Sequence, residues 1–224
     1  MAPAEKDAAR TAVVDWLTGG GSAWVRINGA ETPWYADDVA VLATVRGLRG
    51  VILPKCQRGE DAAHLRSSLP ADIALVGLVE SAMGIRDVDT VAASGVDRLA
   101  FGALDFATDV ESDPEDEVVG HARARLVIAS RAAGIPAPVD GVTPSLDPAV
   151  VSADSRRARR SGFRGKLCIH PAQLMPADEA LRPSDDEIDW ARRVVAAMTG
   201  GGVVLLDGAM VDTPVVERAR RLLC

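Results

Sequence analysis

The chain has 224 residues, with 25 basic side chains against 32 acidic ones and a formal net charge of −7. This length can bury the core of one larger α/β domain, and the acidic balance argues against nucleic acid as the main partner, because such proteins present a broad basic face. No apolar run approaches the length of a membrane span, and three cysteines without metal-ligand spacing indicate a reducing compartment, so we expect a cytoplasmic protein with no membrane partner.

Strand and helix patterns alternate along the chain. The sequence predicts helices over Ala4–Leu17, Trp34–Leu48, Gly59–Ser68, Gly84–Ala93, Asp113–Ala133, Asp147–Arg160 and Ser184–Met198, and a last helix from Pro214. It predicts strands over Ala23–Asn28, Gly50–Pro54, Ile73–Val79, Leu99–Ala103, Ile135–Val139 and Gly165–Ile169. A glycine run, Gly200–Gly202, precedes the final segment VVLLDGAMVDTP.

This alternation predicts a parallel α/β fold, either a barrel or an open doubly wound sheet. A polar residue marks the end of nearly every strand, which favours the barrel, because barrel active sites gather from several strand ends at one face. The open sheet would predict a glycine-rich phosphate turn after the first strand, and none is present. Six strands are two short of the eight of a complete barrel. The polar residues at strand ends are Arg26, Lys55, Glu80, Asp105, Asp140 and His170.

Two carboxylates dominate the central strand–helix–strand segment, Ile73–Asp109. Glu80 follows the first of its strands and Asp105 the second. Parallel strands joined by a right-handed crossover place both acids at the same edge of the sheet, where they could hold Mg²⁺ together with substrate oxygens. The alternative is that each acid caps the helix that follows it, and spacing alone does not decide between the two.

Six motifs in order, VRIN, LPK, LVES, FGALDFATD, GKLCIHPAQ and DGAMVDTP, resemble the citrate lyase beta-subunit-like (HpcH/HpaI aldolase/citrate lyase) family from Ala2 to the C-terminal helix. These are Mg²⁺-dependent (β/α)₈ TIM-barrel enzymes that cleave or form β-hydroxyacyl-CoA thioesters. The resemblance implies that residues 1–176 form a barrel core lacking the family's first two strands. It implies that residues 177–224 form a C-terminal helical extension that reaches a neighbouring subunit.

The resemblance also assigns roles to individual residues. Glu80 and Asp105 match the Mg²⁺ ligands, and Arg26 matches the residue that holds the substrate carboxylate; the alternative for Arg26 is a structural ion pair. Asp212 matches a catalytic acid/base that serves the neighbouring subunit in a homo-oligomer, a trimer or hexamer. The sequence alone favours Asp212 as the cap of the helix that starts at Pro214, although Thr213 could cap that helix instead.

Weaker signals concern substrate binding. Lys55 could contact the CoA or neutralise a neighbouring acid. His170 resembles a residue of a family loop near the CoA, but a histidine at a strand end could equally cap that loop. A basic cluster could attract the CoA phosphates, although a charge run on a helix is usually a solvated face. The cluster comprises Arg156, Arg157, Arg159, Arg160, Arg164 and Lys166.

The expected activity is the Mg²⁺-dependent cleavage of a citryl-, malyl- or citramalyl-thioester, carried by CoA or by an acyl carrier protein, to an acyl thioester and an α-keto acid. The alternatives are an aldolase acting on free hydroxy-keto acids and a catalytically impaired scaffold or regulatory subunit. The resemblance further implies that Met1 stands where the family has valine, so that coding for the two absent strands is expected upstream.

Overall fold

The computed structural model describes residues 2–114, 116–198 and 204–223. Met1 and the glycine run Gly200–Gly202 lie outside these residues, so the expectations attached to them stay predictions. The chain divides into two compact units, Met1–Ala177 and Asp178–Cys224.

The first unit is built on parallel strands. Its sheet contains β1 (Ala23–Arg26), β2 (Leu48–Leu53), β3 (Ala74–Val79) and β4 (Arg98–Phe101), in the order β1-β2-β3-β4. Two isolated parallel bridges, Ala100↔Val139 and Asp140↔Lys166, continue the same order. Six successive parallel positions in chain order are the arrangement of a (β/α)₈ barrel rather than of an open sheet that switches direction.

The predicted strands Ile135–Val139 and Gly165–Ile169 are wrong as regular strands, since each contributes only a bridge. Pro136 and Pro138 remove two N–H donors from the first segment, which leaves too few hydrogen bonds for a ladder. In the second segment, the N–H of Ile169 donates to the side chain of Gln173 instead of to a neighbouring strand.

Helices connect the strands of the first unit. Short 3₁₀ turns occupy Pro3–Glu5 and Pro171–Gln173. The α-helices are α1 (Lys6–Thr18), α2 (Tyr35–Leu42), α3 (Gly59–Ser68), α4 (Ala82–Arg86), α5 (Val88–Ala92), α6 (Ala103–Asp109), α7 (Glu117–Ala132) and α8 (Pro148–Arg160). A further helix, α9 (Leu174–Leu181), begins in the first unit and ends in the second.

Three helix predictions are corrected by the structure. The helix expected over Trp34–Leu48 ends at Leu42, because a turn with Gly47 at φ 86° leads directly into β2. The helix expected over Gly84–Ala93 is interrupted at Asp87, which separates α4 from α5. The helix expected from Asp113 begins at Glu117. Its N-cap residue is Asp116, whose carboxylate accepts a hydrogen bond from the main-chain N–H of Glu117.

Two predicted helix starts are confirmed. Asp147 caps α8 by accepting a hydrogen bond from the N–H of Ala149 at 2.8 Å. Ser184 and Glu187 form the expected capping box.

Strand β3 has both faces covered, as its unbroken apolar sequence predicts. Alternate side chains of the sheet pack under the helices, among them Val51, Leu75 and Leu99, which are fully buried. The intervening side chains, among them Val76 and Leu78, form a separate cluster on the opposite face. These two layers hold the strand ends in fixed register.

The second unit consists of α10 (Asp185–Ala197), a hairpin of β5 (Val204–Leu206) and β6 (Ala209–Val211), and α11 (Thr213–Leu223). Asp207 and Gly208 form the hairpin turn with φ of 52° and 77°, the conformation that Asp-Gly pairs favour. A small core holds the unit together. Its buried residues are Ala191, Val194, Val211, Val216 and Ala219.

None of the helices in residues 2–114, 116–198 and 204–223 is both long and apolar enough to cross a membrane.

Candidate active site

Four of the polar residues predicted at strand ends lie at the carboxyl ends of β1 to β4. Arg26 is the last residue of β1, Lys55 comes two residues after β2, and Glu80 directly follows β3. Asp105 lies in the first turn of α6, which begins two residues after β4. Since the four strands are parallel neighbours, these residues share one edge of the sheet.

Glu80 is the most enclosed of the four, with 8 % of its surface exposed. One carboxylate oxygen, Oε1, accepts a hydrogen bond from the main-chain N–H of Lys55 at 2.8 Å. Burial, together with the nearby charge of Asp105, raises the pKa of Glu80, while the Lys55 N–H and the charges of Arg26 and Lys55 oppose this rise. The other three groups are therefore close enough to Glu80 to act on its charge.

Gly102 is a residue of this site that the sequence did not single out. A Cβ atom at position 102 would lie 2.5 Å from the Cβ and 2.7 Å from Oε2 of Glu80. Any side chain at this position would therefore displace the carboxylate. The N–H of Gly102 donates to the carbonyl of Val79, which fixes the turn beside the end of β3.

Asp105 is exposed. Within the described parts of the chain, neither Glu80 nor Asp105 has a lysine, arginine or histidine nitrogen within 4.0 Å. Two neighbouring carboxylates that lack an ion-pair partner repel one another, and one of them is also desolvated. A bound cation would relieve both costs.

Arg26 is exposed beside a cavity of about 260 Å³. The residues after it are held by a network that sequence reasoning missed. Asp38, buried on α2, accepts hydrogen bonds from the main-chain N–H and the side-chain amide of Asn28 and from Arg10 Nε at 2.8 Å. An acidic residue on the buried face of a helix was the available signal for this network.

The main-chain N–H of Lys55 donates a hydrogen bond to Glu80, whereas the side chain lies at the surface. The residue has φ 48°, a left-handed conformation that is uncommon outside glycine. Its side chain is 62 % exposed, and the ammonium nitrogen lies 4.0 Å from Oε1 of Glu31. Of the two roles expected for Lys55, the structure thus shows neutralisation of a neighbouring acid at Glu31. Contact of this side chain with a substrate stays a prediction.

His170 caps the 3₁₀ turn that follows it, because its Nδ1 accepts a hydrogen bond from the N–H of Ala172 at 3.1 Å. The side chain is exposed, and its role in substrate binding stays a prediction. Gln173 closes the same loop: it is buried, and its amide donates to the carbonyls of Thr143 and Ser145.

Asp140 and Lys166, a member of the basic cluster, have buried side chains. Asp140 is fully buried and pairs with Arg123 and Lys166, so it is not a free group at the strand ends. Lys166 is also buried, and Arg157 pairs with Asp154. These contacts give Lys166 and Arg157 acidic partners, and attraction of CoA phosphates by the cluster stays a prediction.

Asp212 belongs to the second unit, where it precedes α11. Its Oδ1 accepts a hydrogen bond from the N–H of Val215 at 3.3 Å, and its carbonyl accepts one from the N–H of Val216 at 3.1 Å. The capping alternative is therefore realised in this structure. The catalytic role of Asp212 stays a prediction, because capping occupies only one carboxylate oxygen.

No cluster of three or more His, Cys, Asp and Glu side chains suited to a metal ion occurs among residues 2–114, 116–198 and 204–223. A pair of carboxylates remains sufficient for Mg²⁺, which usually takes one or two carboxylates and completes its shell with water and substrate oxygens.

The sequence model of the HpcH/HpaI aldolase/citrate lyase family matches residues 1–171. The chain belongs to this family. It is 36% identical over 217 residues to a citrate lyase subunit beta-like protein of Deinococcus radiodurans, covering 89% of this chain and 74% of that protein. It is 32% identical over 208 residues to a (3S)-malyl-CoA thioesterase of Cereibacter sphaeroides, covering 89% of this chain and 72% of that protein.

A solved structure of the protein CitE from Mycobacterium tuberculosis, in complex with magnesium, acetoacetate and coenzyme A, matches with a TM-score of 0.86. The two proteins are 30% identical, and the match covers 100% of this chain and 85% of that one. The family resemblance and the parallel α/β barrel fold expected from the sequence are thus confirmed. The two missing strands, the division into barrel core and extension, and the roles of the individual residues stay predictions.

Proposed function

We propose that this protein is a Mg²⁺-dependent carbon–carbon lyase of β-hydroxyacyl-CoA thioesters of the citryl, malyl or citramalyl type. The observation that carries the proposal is the pairing of a buried and an exposed carboxylate, Glu80 and Asp105, beside Arg26 at one edge of the parallel sheet. The relatives support it, since one of them is named for malyl-CoA and the CitE structure contains both magnesium and coenzyme A.

The residues present fit Mg²⁺. Hard divalent cations prefer oxygen donors, and Glu80 offers a carboxylate whose Oε1 is oriented by one main-chain N–H. Burial raises the pKa of Glu80 because it desolvates the charged carboxylate, and a bound cation would offset this cost. When bound, the metal would polarise a keto or hydroxyl oxygen of the acyl group.

Side chains of the protein bind the metal and the substrate and transfer the proton. Glu80 and Asp105 hold the metal, and Arg26 binds the substrate carboxylate, a pairing for which its planar guanidinium is suited. In the cleavage direction the carboxylate of Asp212 removes the proton of the β-hydroxyl group. The bond between the α and β carbons then breaks, its electron pair passes to the acyl-CoA as an enolate, and the β carbon becomes the carbonyl carbon of the released acid. Protonation of the α carbon completes the acyl-CoA.

Asp212 lies in the second unit, so we propose that it acts within a homo-oligomer, a trimer or hexamer, in which it serves the site of a neighbouring subunit. Lys55 and His170 are proposed to contact the thioester portion of the substrate. A cytoplasmic location forms part of the same proposal, since Cys56 and Cys168 are both free thiols.

An assay with citryl-, malyl- and citramalyl-CoA in the presence of Mg²⁺ tests the reaction. A lyase releases an acyl-CoA and an α-keto or aldehydic acid, both identified by mass spectrometry, and stops when the metal is chelated. An aldolase instead cleaves the free hydroxy-keto acids, and a scaffold turns over none of these compounds. Absence of turnover across the panel would overturn the proposed function.

The thioesterase relative supports a second candidate, hydrolysis of the thioester bond. Hydrolysis of malyl-CoA yields malate and free CoA, and the free thiol is detected with a thiol reagent. A lyase yields acetyl-CoA, which carries no free thiol. The same incubation therefore separates the two reactions.

A further inference from the structure

A group of buried charged side chains lies next to the turn that precedes Asp105. The proposed reaction gives these buried side chains no role. Asp140 is 0 % exposed, and its two carboxylate oxygens accept hydrogen bonds from Arg123 Nε at 3.1 Å and from Lys166 Nζ at 3.4 Å. Burying three charges is costly, so their arrangement calls for an explanation.

Lys166 is the centre of this group. Its side chain is 2 % exposed, and its ammonium group donates to the carbonyl of Gly141 at 2.8 Å. It also reaches one carboxylate oxygen of Asp140 and one of Asp154, each at 3.4 Å. Three acceptors match the three N–H bonds of an ammonium group, so Lys166 is held in one position and in turn holds the Gly141 carbonyl.

Gly141 transmits this constraint to the turn between β4 and α6. A Cβ atom at position 141 would lie 2.7 Å from the carbonyl oxygen of Phe101 and 3.2 Å from the N atom of Ala103. The main chain of Gly141 therefore packs directly against the turn that begins α6. Asp105 lies two residues beyond Ala103.

The same turn contacts Glu80 on another side through Gly102, where a Cβ would lie 2.7 Å from Oε2 of the carboxylate. The guanidinium of Arg123, which pairs with Asp140, lies 5.5 Å from the centroid of the Phe101 ring. The turn is thus fixed from both sides: by the buried charges through Gly141 and Phe101, and by the site carboxylate through Gly102.

We propose that Lys166, acting with Asp140 through Gly141, is a positioning residue that sets the place of Asp105 relative to Glu80. This inference rests on the proposed function, in which these two carboxylates hold a divalent cation. Mg²⁺ demands near-ideal octahedral geometry, so a small displacement of the turn lowers affinity even when the protein stays folded.

The test compares two variants that remove similar interactions at opposite ends of the same strands. Lys166→Met removes the ammonium group that holds Gly141, while Arg123 still pairs with Asp140. Arg98→Met is the matched control: Arg98 begins β4 and donates to the carbonyls of Ala137 and Arg164, each at 2.6 Å, away from the carboxyl ends.

The measurement is Mn²⁺ affinity by electron paramagnetic resonance on the full chain, at a temperature well below each variant's melting midpoint, together with the midpoint itself. By comparison with other residues that orient metal ligands indirectly, we expect Lys166→Met to weaken Mn²⁺ binding by about tenfold or more. Arg98→Met is expected to lower the midpoint while its affinity stays within about twofold of the parent.

A second pair of variants keeps all the charges. Gly141→Ala would force the Phe101 carbonyl away and is expected to weaken Mn²⁺ binding in the same direction. Gly165→Ala is its control, since the new methyl group would meet the side chain of Val139 at 3.2 Å rather than the turn. This pair keeps the proposal falsifiable if Lys166→Met does not fold.

The outcomes separate the proposal from the function on which it rests. Parental affinity in both Lys166→Met and Gly141→Ala would overturn the positioning role, and so would an equal loss in Arg98→Met, which would mark a general effect of destabilisation. No Mn²⁺ binding by the parent protein would overturn the metal site itself, and the positioning role with it.

Discussion

At the scale of a single residue, the main chain and the side chain of Lys55 lie in different surroundings. The main-chain N–H donates to Glu80 from a left-handed backbone conformation, with φ 48°, whereas the side chain is largely exposed. A left-handed backbone costs a non-glycine residue roughly 1–2 kcal/mol. The cost indicates that the N–H is the part that this position must supply.

Lys55→Gly is therefore expected to keep divalent-ion affinity near that of the parent, because glycine adopts the same backbone conformation without strain. Its stability should lie within about 1 kcal/mol of the parent, since relief of strain is offset by the greater freedom of the unfolded chain. Mn²⁺ titration and urea unfolding measure the two quantities. If the ammonium group binds substrate, the KM for the thioester rises while metal affinity does not; a loss of metal affinity would contradict the assignment.

Glu80→Gln and Asp105→Asn test the carboxylates themselves. Each variant should abolish Mg²⁺-dependent turnover, because a neutral amide is a poor ligand for a hard cation. In the absence of metal each should be at least as stable as the parent, since the repulsion between two neighbouring carboxylates is removed. Thermal unfolding with chelator and with Mg²⁺ checks both expectations. A variant that keeps parental activity and affinity would locate the metal elsewhere.

The sequence predicted which residues stand at the strand ends but not how they are held. Arg26 and Glu80 follow apolar runs, a local signal that needs no knowledge of the fold. Asp38 and Gly102 act across the structure, on Asn28 and on Glu80, through contacts that only tertiary packing creates. No pattern within one element reports such contacts.

At the scale of elements, the side chain of Asp154 connects α8 to two other segments of the chain, those that contain Thr143 and Lys166. Its carboxylate accepts a hydrogen bond from Thr143 and pairs with Lys166 and Arg157. Burial alone would raise the pKa of Asp154, but the Thr143 hydrogen bond and the charges of Lys166 and Arg157 outweigh it and hold the pKa below the ordinary value of 3.8. A carboxyl whose pKa is lowered on folding stabilises the fold above its unfolded pKa, and this contribution is lost as the pH falls through the folded value.

Asp154→Asn should consequently lower the free energy of unfolding at pH 7 by about 1.5–3 kcal/mol, which is the usual contribution of a hydrogen bond to a charged group. The difference from the parent should begin to shrink below pH 3.8, where the carboxyl of the unfolded chain takes up a proton, and should vanish below the lowered pKa of the folded parent. Urea unfolding at several pH values measures it. Asp178→Asn, which removes an exposed pair with Arg182, serves as the control and should change little. A difference that does not depend on pH would refute the electrostatic explanation.

The elements that sequence predicted well are those whose signal is local. Asp147 and Ser184 cap their helices as expected, and β3 follows from a continuous apolar run. The segment Ile135–Val139 failed because its two prolines outweigh its apolar character. The hairpin of β5 and β6 carried a usable signal in Asp207-Gly208 that the sequence analysis did not interpret.

At the scale of the whole molecule, the hairpin supports the proposed contact with a neighbouring subunit. Leu205 and Met210 are opposite each other in the hairpin, and they are 76% and 69% exposed. A cross-strand pair of large apolar side chains in water is unfavourable unless another surface covers it. We expect Leu205→Ser with Met210→Ser to shift the protein to smaller species in sedimentation analysis. Unchanged oligomeric mass would argue that this face is not an interface.

Mixed assemblies of two inactive chains test whether Asp212 serves a neighbouring site. One chain carries Glu80→Gln and the other Asp212→Asn, which removes the acid/base but keeps an oxygen that can cap α11. Each variant alone should show no turnover. In a mixed oligomer some sites combine an intact metal pair from one chain with an intact aspartate from the other, so part of the activity should return. Mass spectrometry of differently tagged chains establishes the mixing. Proven mixing without recovery would mean that Asp212 acts within its own chain or has only its capping role.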